Sequence, residues 1–134
     1  MSFVHELRVR YGECDPQGIV FNANYLLYLD VAFTELWRDA VGPWQDMTER
    51  WGVDAVVAEA TLRFRGPARF DDLIALRLHV DKLGTSSIVT VFEVRRDQQL
   101  LVEGTLRHVV VDTQGWRPAE LPEAVRAGLG RYAG

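Results

Sequence analysis

A single cysteine, Cys14, stands among 134 residues, so no internal disulfide can form and the cytoplasm, a reducing compartment, is the expected home. No run approaches the ~20 apolar residues of a membrane-spanning helix. The opening Met1-Ser2-Phe3-Val4-His5-Glu6 lacks the basic head and apolar core of a secretion signal. Positive charge is short as well: 15 Lys and Arg against 19 Asp and Glu leave a net charge of −4. That balance disfavours nucleic acid and anionic membranes as partners, since both call for a basic footprint. His5, His79 and His108 fall on three different predicted strands with no His/Cys/Asp spacing of a metal site, so no metal is expected. Repeats and low-complexity tracts are missing too.

What is present is the composition of an ordinary globular protein, 48% hydrophobic and 25% charged, at a length that fits one domain over residues 1–134. Residues Phe3 to Tyr11 alternate Phe3, Leu7, Val9 and Tyr11 with Glu6, Arg8 and Arg10, the period of a strand with one buried face. After a loop carrying Gly12, Pro16 and Gly18, residues Asn22 to Val41 predict the only long helix, with Asn22 as its N-cap. Tyr25, Leu29, Ala32, Phe33, Leu36 and Ala40 recur at helical spacing, and polar residues are so few that the helix must be covered on most sides.

Pro43 to Trp51 adds a short helix, and four strands follow: Val56–Arg65, Ile74–Asp81, Ser86–Arg96 and Gln99–Asp112. In the first of these, Val56, Ala58, Ala60, Leu62 and Phe64 share one face. Gly104 in mid-strand permits the close approach of another backbone, for which the helix is the expected visitor. A terminal helix is expected over Glu123–Tyr132. Short hairpins make the sheet antiparallel. The predicted architecture is therefore α+β, a five-stranded antiparallel sheet curled around one long central helix. One helix covers little sheet, so dimerisation is expected.

Chemistry concentrates in Tyr11-Gly12-Glu13-Cys14-Asp15-Pro16-Gln17-Gly18-Ile19-Val20-Phe21-Asn22, which delivers a carboxylate to the start of a buried helix. The first helical turn has free N–H groups and partial positive charge, suited to an oxyanion as a carbonyl becomes tetrahedral. Asp15 can then attack the carbonyl carbon or activate water. Pro16 restricts Asp15, and Gly18 lets a substrate approach the backbone. Glu13 reads more readily as a solvated carboxylate than as an aid to Asp15. Cys14 points away in an extended loop and has no nearby histidine, so it reads as buried filler. Tyr25, Tyr28, Phe33 and Trp37 read as core, although Tyr25 is placed to wall an acyl pocket.

The run Glu13-Cys14-Asp15-Pro16-Gln17-Gly18-Ile19-Val20 followed by Asn24-Tyr25, with Pro67-Ala68-Arg69-Phe70-Asp71-Asp72 further on, resembles the 4-hydroxybenzoyl-CoA thioesterase-like branch of the hotdog-fold acyl-CoA thioesterases. The likeness covers nearly the whole chain. It implies the hotdog fold, hydrolysis of an acyl-CoA to free acid and CoA without metal or other cofactor, and a homodimer, or a tetramer built as a dimer of dimers, with sites at the subunit interface. By position, Asp15 is the catalytic carboxylate and the backbone amide of Asn22 polarises the thioester carbonyl, with Gly18, Ile19 and Tyr25 around the substrate. Some relatives carry histidine where this chain has Asn22. Positions that bind the nucleotide in some relatives keep only Lys82 here, which turns attention to Arg63, Arg65 and Arg69 as contacts for the CoA phosphates. Another hotdog branch uses a helical glutamate after a His-Gly-Gly motif; its absence here weakens Glu35. Two alternatives stand beside the acyl-CoA thioesterase: release of acyl groups from an acyl-carrier protein, and a non-catalytic hotdog that only binds acyl thioesters.

Overall fold

The computed structural model describes residues 1–134. Along the chain come β1 (Phe3–Arg8), a 3-10 turn (Tyr11–Glu13), α1 (Asn24–Ala40), α2 (Trp44–Trp51), β2 (Val53–Phe64), β3 (Leu73–Leu83), β4 (Ser87–Arg96), β5 (Gln99–Asp112) and α3 (Glu123–Gly130). Every strand pair is antiparallel and the sheet order is β1-β3-β4-β5-β2. Strands β3, β4 and β5 follow one another through tight turns, one of them closed by Asp97 at φ +54. The step from β1 to β2 joins the two outer strands, and α1 and α2 lie on that step.

Alternation within the strands supplies the sheet's share of the core. Ile74, Leu76, Leu78 and Val80 of β3 and Ile88, Thr90, Phe92 and Val94 of β4 are buried, with their neighbours turned outward. Against them α1 buries Tyr25, Tyr28, Leu29, Ala32, Phe33, Leu36 and Trp37, and one cluster of 27 residues forms the core. The helical layer holds three helices: α1 of 17 residues with α2 and α3 of 8 each. Full burial of one large apolar side chain contributes about 1.5–3 kcal/mol. The six large side chains among them therefore outweigh the ~1 kcal/mol that a good N-cap supplies.

That N-cap is where the structure first departs from the sequence reading. The helix starts at Asn24, its cap position is Ala23 in helical conformation, and no side chain caps it. Asn22 is displaced because the chain already turns before the helix: Asn24 N–H donates to Phe21 O, and Tyr25 N–H to Asn22 O. β1 likewise stops at Arg8, since Tyr11–Glu13 coils into the 3-10 turn.

Two further corrections concern β2 and β5. A bulge between Val57 and Glu59 shifts the register, so Val57 opposes His108 and faces inward with Ala60, Leu62 and Phe64, while Val56 turns outward beside Val109. The predicted single face of Val56 to Phe64 is thereby broken. At Gly104 the close visitor is strand β2, not the helix: a Cβ there would lie 1.7 Å from Thr61 O. Coverage of α1 is also incomplete in the single chain. Leu26, Leu27 and Val31 are 45%, 52% and 43% exposed, leaving one apolar flank open.

Candidate active site

The loop between β1 and α1 is built around Glu13, which is buried. Its carboxylate accepts hydrogen bonds from Arg10 N–H (2.8 Å), Arg10 Nε (2.8 Å) and the Tyr28 hydroxyl (2.7 Å). Its carbonyl accepts from Phe21 N–H (2.9 Å) and Asn24 Nδ2 (2.8 Å). Burial works to raise the Glu13 pKa, but the Arg10 and Tyr28 bonds outweigh it and hold the carboxyl below its ordinary range. The Tyr28 hydroxyl moves the other way, pushed up by burial and then by the Glu13 charge. Glu13 is thus neither solvated nor paired with Asp15, contrary to the sequence reading. It ties the 3-10 turn to the first turns of α1.

With both flanks tied, the chain from Cys14 to Val20 folds back on itself as a small hairpin, bridged at those two residues. Asp15 opens its turn: Asp15 N–H donates to Ile19 O (2.9 Å), Gly18 N–H to Asp15 O (2.9 Å), and Gln17 N–H to Asp15 Oδ1 (2.9 Å). The Oδ2 atom has no partner within the chain. Gly18 sits at φ +81 with open space around its Cβ position, so the turn's backbone, not crowding, calls for glycine. Cys14 is half-buried against the core, its Sγ 4.0 Å from Arg10 O.

Just beyond, the N–H groups of Asn22 and Ala23 donate to nothing. They precede a helix of 17 residues, whose aligned peptide dipoles place partial positive charge at that end. Asp15 and Asn22 line one cleft of about 480 Å³, with Ile19 and Tyr25 on one side and Phe64 and Arg65 on the other. A carboxylate and a residue with an unpaired amide lining one void, with a second unpaired amide next in the chain, are suited to a carbonyl that becomes tetrahedral.

The far wall is held by its own ties. Tyr25 OH accepts from Ala68 N–H (3.4 Å). Arg96 donates to Pro67 O (3.1 Å) and Asp72 Oδ2 (2.6 Å), and Asp72 Oδ2 also accepts Arg69 N–H (2.8 Å). Burial raises the Asp72 pKa, and the Arg69 amide and Arg96 more than reverse it. The Val20 amide donates to Ala68 O (2.9 Å), joining this wall to the Asp15 loop.

Of the residues singled out in the sequence, the cleft brings together Asp15, Asn22, Ile19, Tyr25 and Arg65, with Gly18 in the adjoining turn. Arg65 donates through Nε to Glu103 (2.9 Å). Arg63 lines a separate depression with Arg77, His79 and Glu103. Arg69 contributes its backbone, paired with Ile19, and Lys82 lies on β3 beside its bulge, outside the cleft. Glu35 forms a surface ion pair with Arg38. The parts Arg10, Tyr28 and Arg96 play were missed. The Arg10–Glu13 spacing is a local signal, whereas Tyr28 and Arg96 reach their partners only through the fold.

Comparison with known proteins shows the family and the fold. Residues 9–129 match the family model described as the thioesterase-like superfamily. The chain is 32% identical to the acyl-CoA thioester hydrolase YbgC of Escherichia coli O6:H1 over 123 residues, 90% of each chain. It is 27% identical to the putative acyl-CoA thioesterase YneP of Bacillus subtilis, covering 89% of this chain and 86% of that one. The crystal structure of a Thermus thermophilus protein superposes with a TM-score of 0.89 at 32% identity, covering 98% of both chains. By match and by architecture, the chain belongs to the thioesterase-like superfamily and has the hotdog thioesterase fold.

Proposed function

We propose that this chain hydrolyses acyl-CoA thioesters to free acid and CoA, with Asp15 as the working carboxylate and the Asn22 and Ala23 amides as the oxyanion site. One observation carries the residue assignment: Asp15, whose Oδ2 has no partner, and Asn22, whose amide is unpaired, line the same cleft. As general base, Asp15 takes a proton from water while the water oxygen attacks the thioester carbon. The amides hold the resulting oxyanion, the C–S bond breaks, and the thiolate leaves with the proton from Asp15. As nucleophile, Oδ2 attacks the same carbon, expels the thiolate and leaves a mixed anhydride for water to cleave. Neither route draws on a metal or a cofactor.

The finer placement, in the 4-hydroxybenzoyl-CoA thioesterase-like branch, is supported by the Glu13-to-Val20 run and by the absence of a His-Gly-Gly motif. Arg65 is the basic residue on the cleft and is assigned to the CoA phosphates ahead of Arg63, Arg69 and Lys82. The exposed flank Leu26, Leu27 and Val31 and the outer strand β2 support a homodimer, or a dimer of dimers, and the lone cysteine supports a cytoplasmic home.

The test is a turnover panel of aromatic and aliphatic acyl groups, each on CoA and on an acyl-carrier protein, for the parent and Asp15→Asn. Hydrolysis of acyl-CoA by the parent and its collapse in the variant are expected. Turnover from the carrier protein alone, or tight binding of a non-hydrolysable analogue with no turnover, would replace this reading by one of its two rivals. An Asp15→Asn protein as fast as the parent would remove Asp15 from the mechanism.

A further inference from the structure

Two aromatic side chains that the fold leaves in water touch each other. Tyr11 is 80% exposed and Phe70 56%, and their rings meet edge to face with centroids 5.8 Å apart. Single exposed apolar residues are ordinary, whereas contiguous ones mark a surface that meets a ligand or partner.

Both rings are carried by pinned backbone. Tyr11 opens the 3-10 turn, and its carbonyl accepts from Cys14 N–H (3.2 Å). Before Phe70, Arg69 N–H donates to Asp72 Oδ2 (2.8 Å). After it, Asp71 stands at φ +72, its N–H donating to Val9 O (3.0 Å) and its carbonyl accepting from Arg8 Nη1 (2.7 Å). A left-handed residue other than glycine costs free energy and persists where its surroundings over-determine it. The pair also borders the catalytic loop: Ile19, which lines the Asp15 cleft, pairs with Arg69, the residue before Phe70. At roughly 5 Å across that bridge and ~3.8 Å along the chain, the Phe70 backbone lies within about 9 Å of a cleft residue.

We infer that Tyr11 and Phe70 form the platform on which the adenine ring of CoA lies while its thioester is at Asp15. The inference rests on the proposed acyl-CoA reading. A cleft of about 480 Å³ takes the acyl thioester and part of the pantetheine arm, which leaves the nucleotide to the surface outside. The arm and the pyrophosphate are longer than the step from the cleft to Phe70. Adenine is a flat π ring that stacks on aromatic faces, and an edge-to-face pair steadies each ring while leaving flat faces open. Charge suits the same ligand. The Arg69 guanidinium, next in the chain to Phe70, bonds nothing within the chain, and it adds a cation to Arg65 on the side where the ribose phosphate travels with adenine.

The experiment measures kcat and KM for one acyl group carried on CoA, on an acyl-carrier protein, and on pantetheine, which keeps the thioester and lacks the nucleotide. The proteins are the parent, Tyr11→Ala, Phe70→Ala and Phe70→Tyr. In each alanine variant KM for the acyl-CoA should rise roughly tenfold with kcat held, the worth of one stacked base, and the acyl-pantetheine constants should match those of the parent. Phe70→Tyr should keep the parent KM. A second readout needs no turnover: adenosine bisphosphate, the nucleotide end of CoA, should move the ring proton resonances of Tyr11 and Phe70, and Phe70→Ala should weaken its binding. Equal losses on CoA and pantetheine would make the pair part of the framework, and a loss confined to the carrier protein would make it a protein-docking surface. Either result, or an unchanged KM for acyl-CoA, overturns the platform while leaving the thioesterase reading intact. Absence of any acyl-CoA hydrolysis by the parent would sink that reading, and ring resonances unmoved by the bisphosphate would then sink this one separately.

Discussion

The two ends of α1 are finished in opposite ways. At its C-terminal end the backbone is tied off: Val41 and Gly42 N–H both donate to Trp37 O, and Tyr132 OH bonds Asp39. Arg131 bonds Asp39 O (2.9 Å), and α3 comes so close that a Cβ on Gly128 would lie 2.2 Å from Ala40 O. Phe33, Trp37, Trp44 and His108 pack there as one aromatic group. At the N-terminal end the surrounding loop is tied down by Glu13, yet the Asn22 and Ala23 amides stay unpaired beside a cleft. Amides that the fold leaves unpaired at a helix start are free to meet a substrate.

The contrast is sharpest at Asp15. Replacement by Asn should lower kcat by roughly 10²–10⁴, the worth of a positioned acid–base group. Stability in urea should change by less than ~0.5 kcal/mol, as for a partly exposed side chain. A large stability loss would show that Asp15 belongs to the framework.

The sealed end should answer to pH. The folded His108 pKa of about 4 lies below the ordinary 6.5, so unfolded chains take up a proton first as pH falls. The stability this contributes is full above pH 6.5 and is lost progressively down to about pH 4, by about 3 kcal/mol in all at ~1.4 kcal/mol per pH unit. Urea titrations of the parent and His108→Phe across that window check it, and parallel pH profiles would contradict it. Glu13, whose folded pKa is lowered, adds a further loss only below the ordinary carboxylate range.

Smaller effects separate the two ends further. Gly128→Ala should cost about 2 kcal/mol by forcing α3 off α1, seen as a lower Tm with kcat per folded molecule unchanged. Glu13→Gln should cost about 1 kcal/mol and reduce kcat a few-fold with KM held, because it loosens the loop that aims Asp15. Loss of kcat in Gly128→Ala at temperatures where it is folded would erase the division between the two ends.

Much of this arrangement was legible in the residues because its signals are local. Alternation placed β3 and β4, helical spacing placed α1 within two residues, and the Glu13-to-Asn22 run pointed to the loop that borders the cleft. What escaped were contacts that exist only after folding. The Glu13 carboxylate finds Tyr28 and the Asp72 carboxylate finds Arg96 across 15 and 24 residues of chain, and no periodicity announces either pair. The β2 bulge was hidden as well, because Val56, Ala58 and Ala60 keep perfect alternation in the sequence while the backbone slips by one residue between Val57 and Glu59. Gly104 carried a true signal of crowding, but a missing side chain does not say from which direction the neighbour comes.

That slip has a consequence for how copies of the chain can meet. An outermost strand with free edge groups is a template for adding further strands without limit. A kink in mid-strand divides the template into two short stretches of different twist, so a straight incoming strand can match only one of them. Growth is then confined to mates bent in the complementary sense, which favours a finite, closed particle over a fibre.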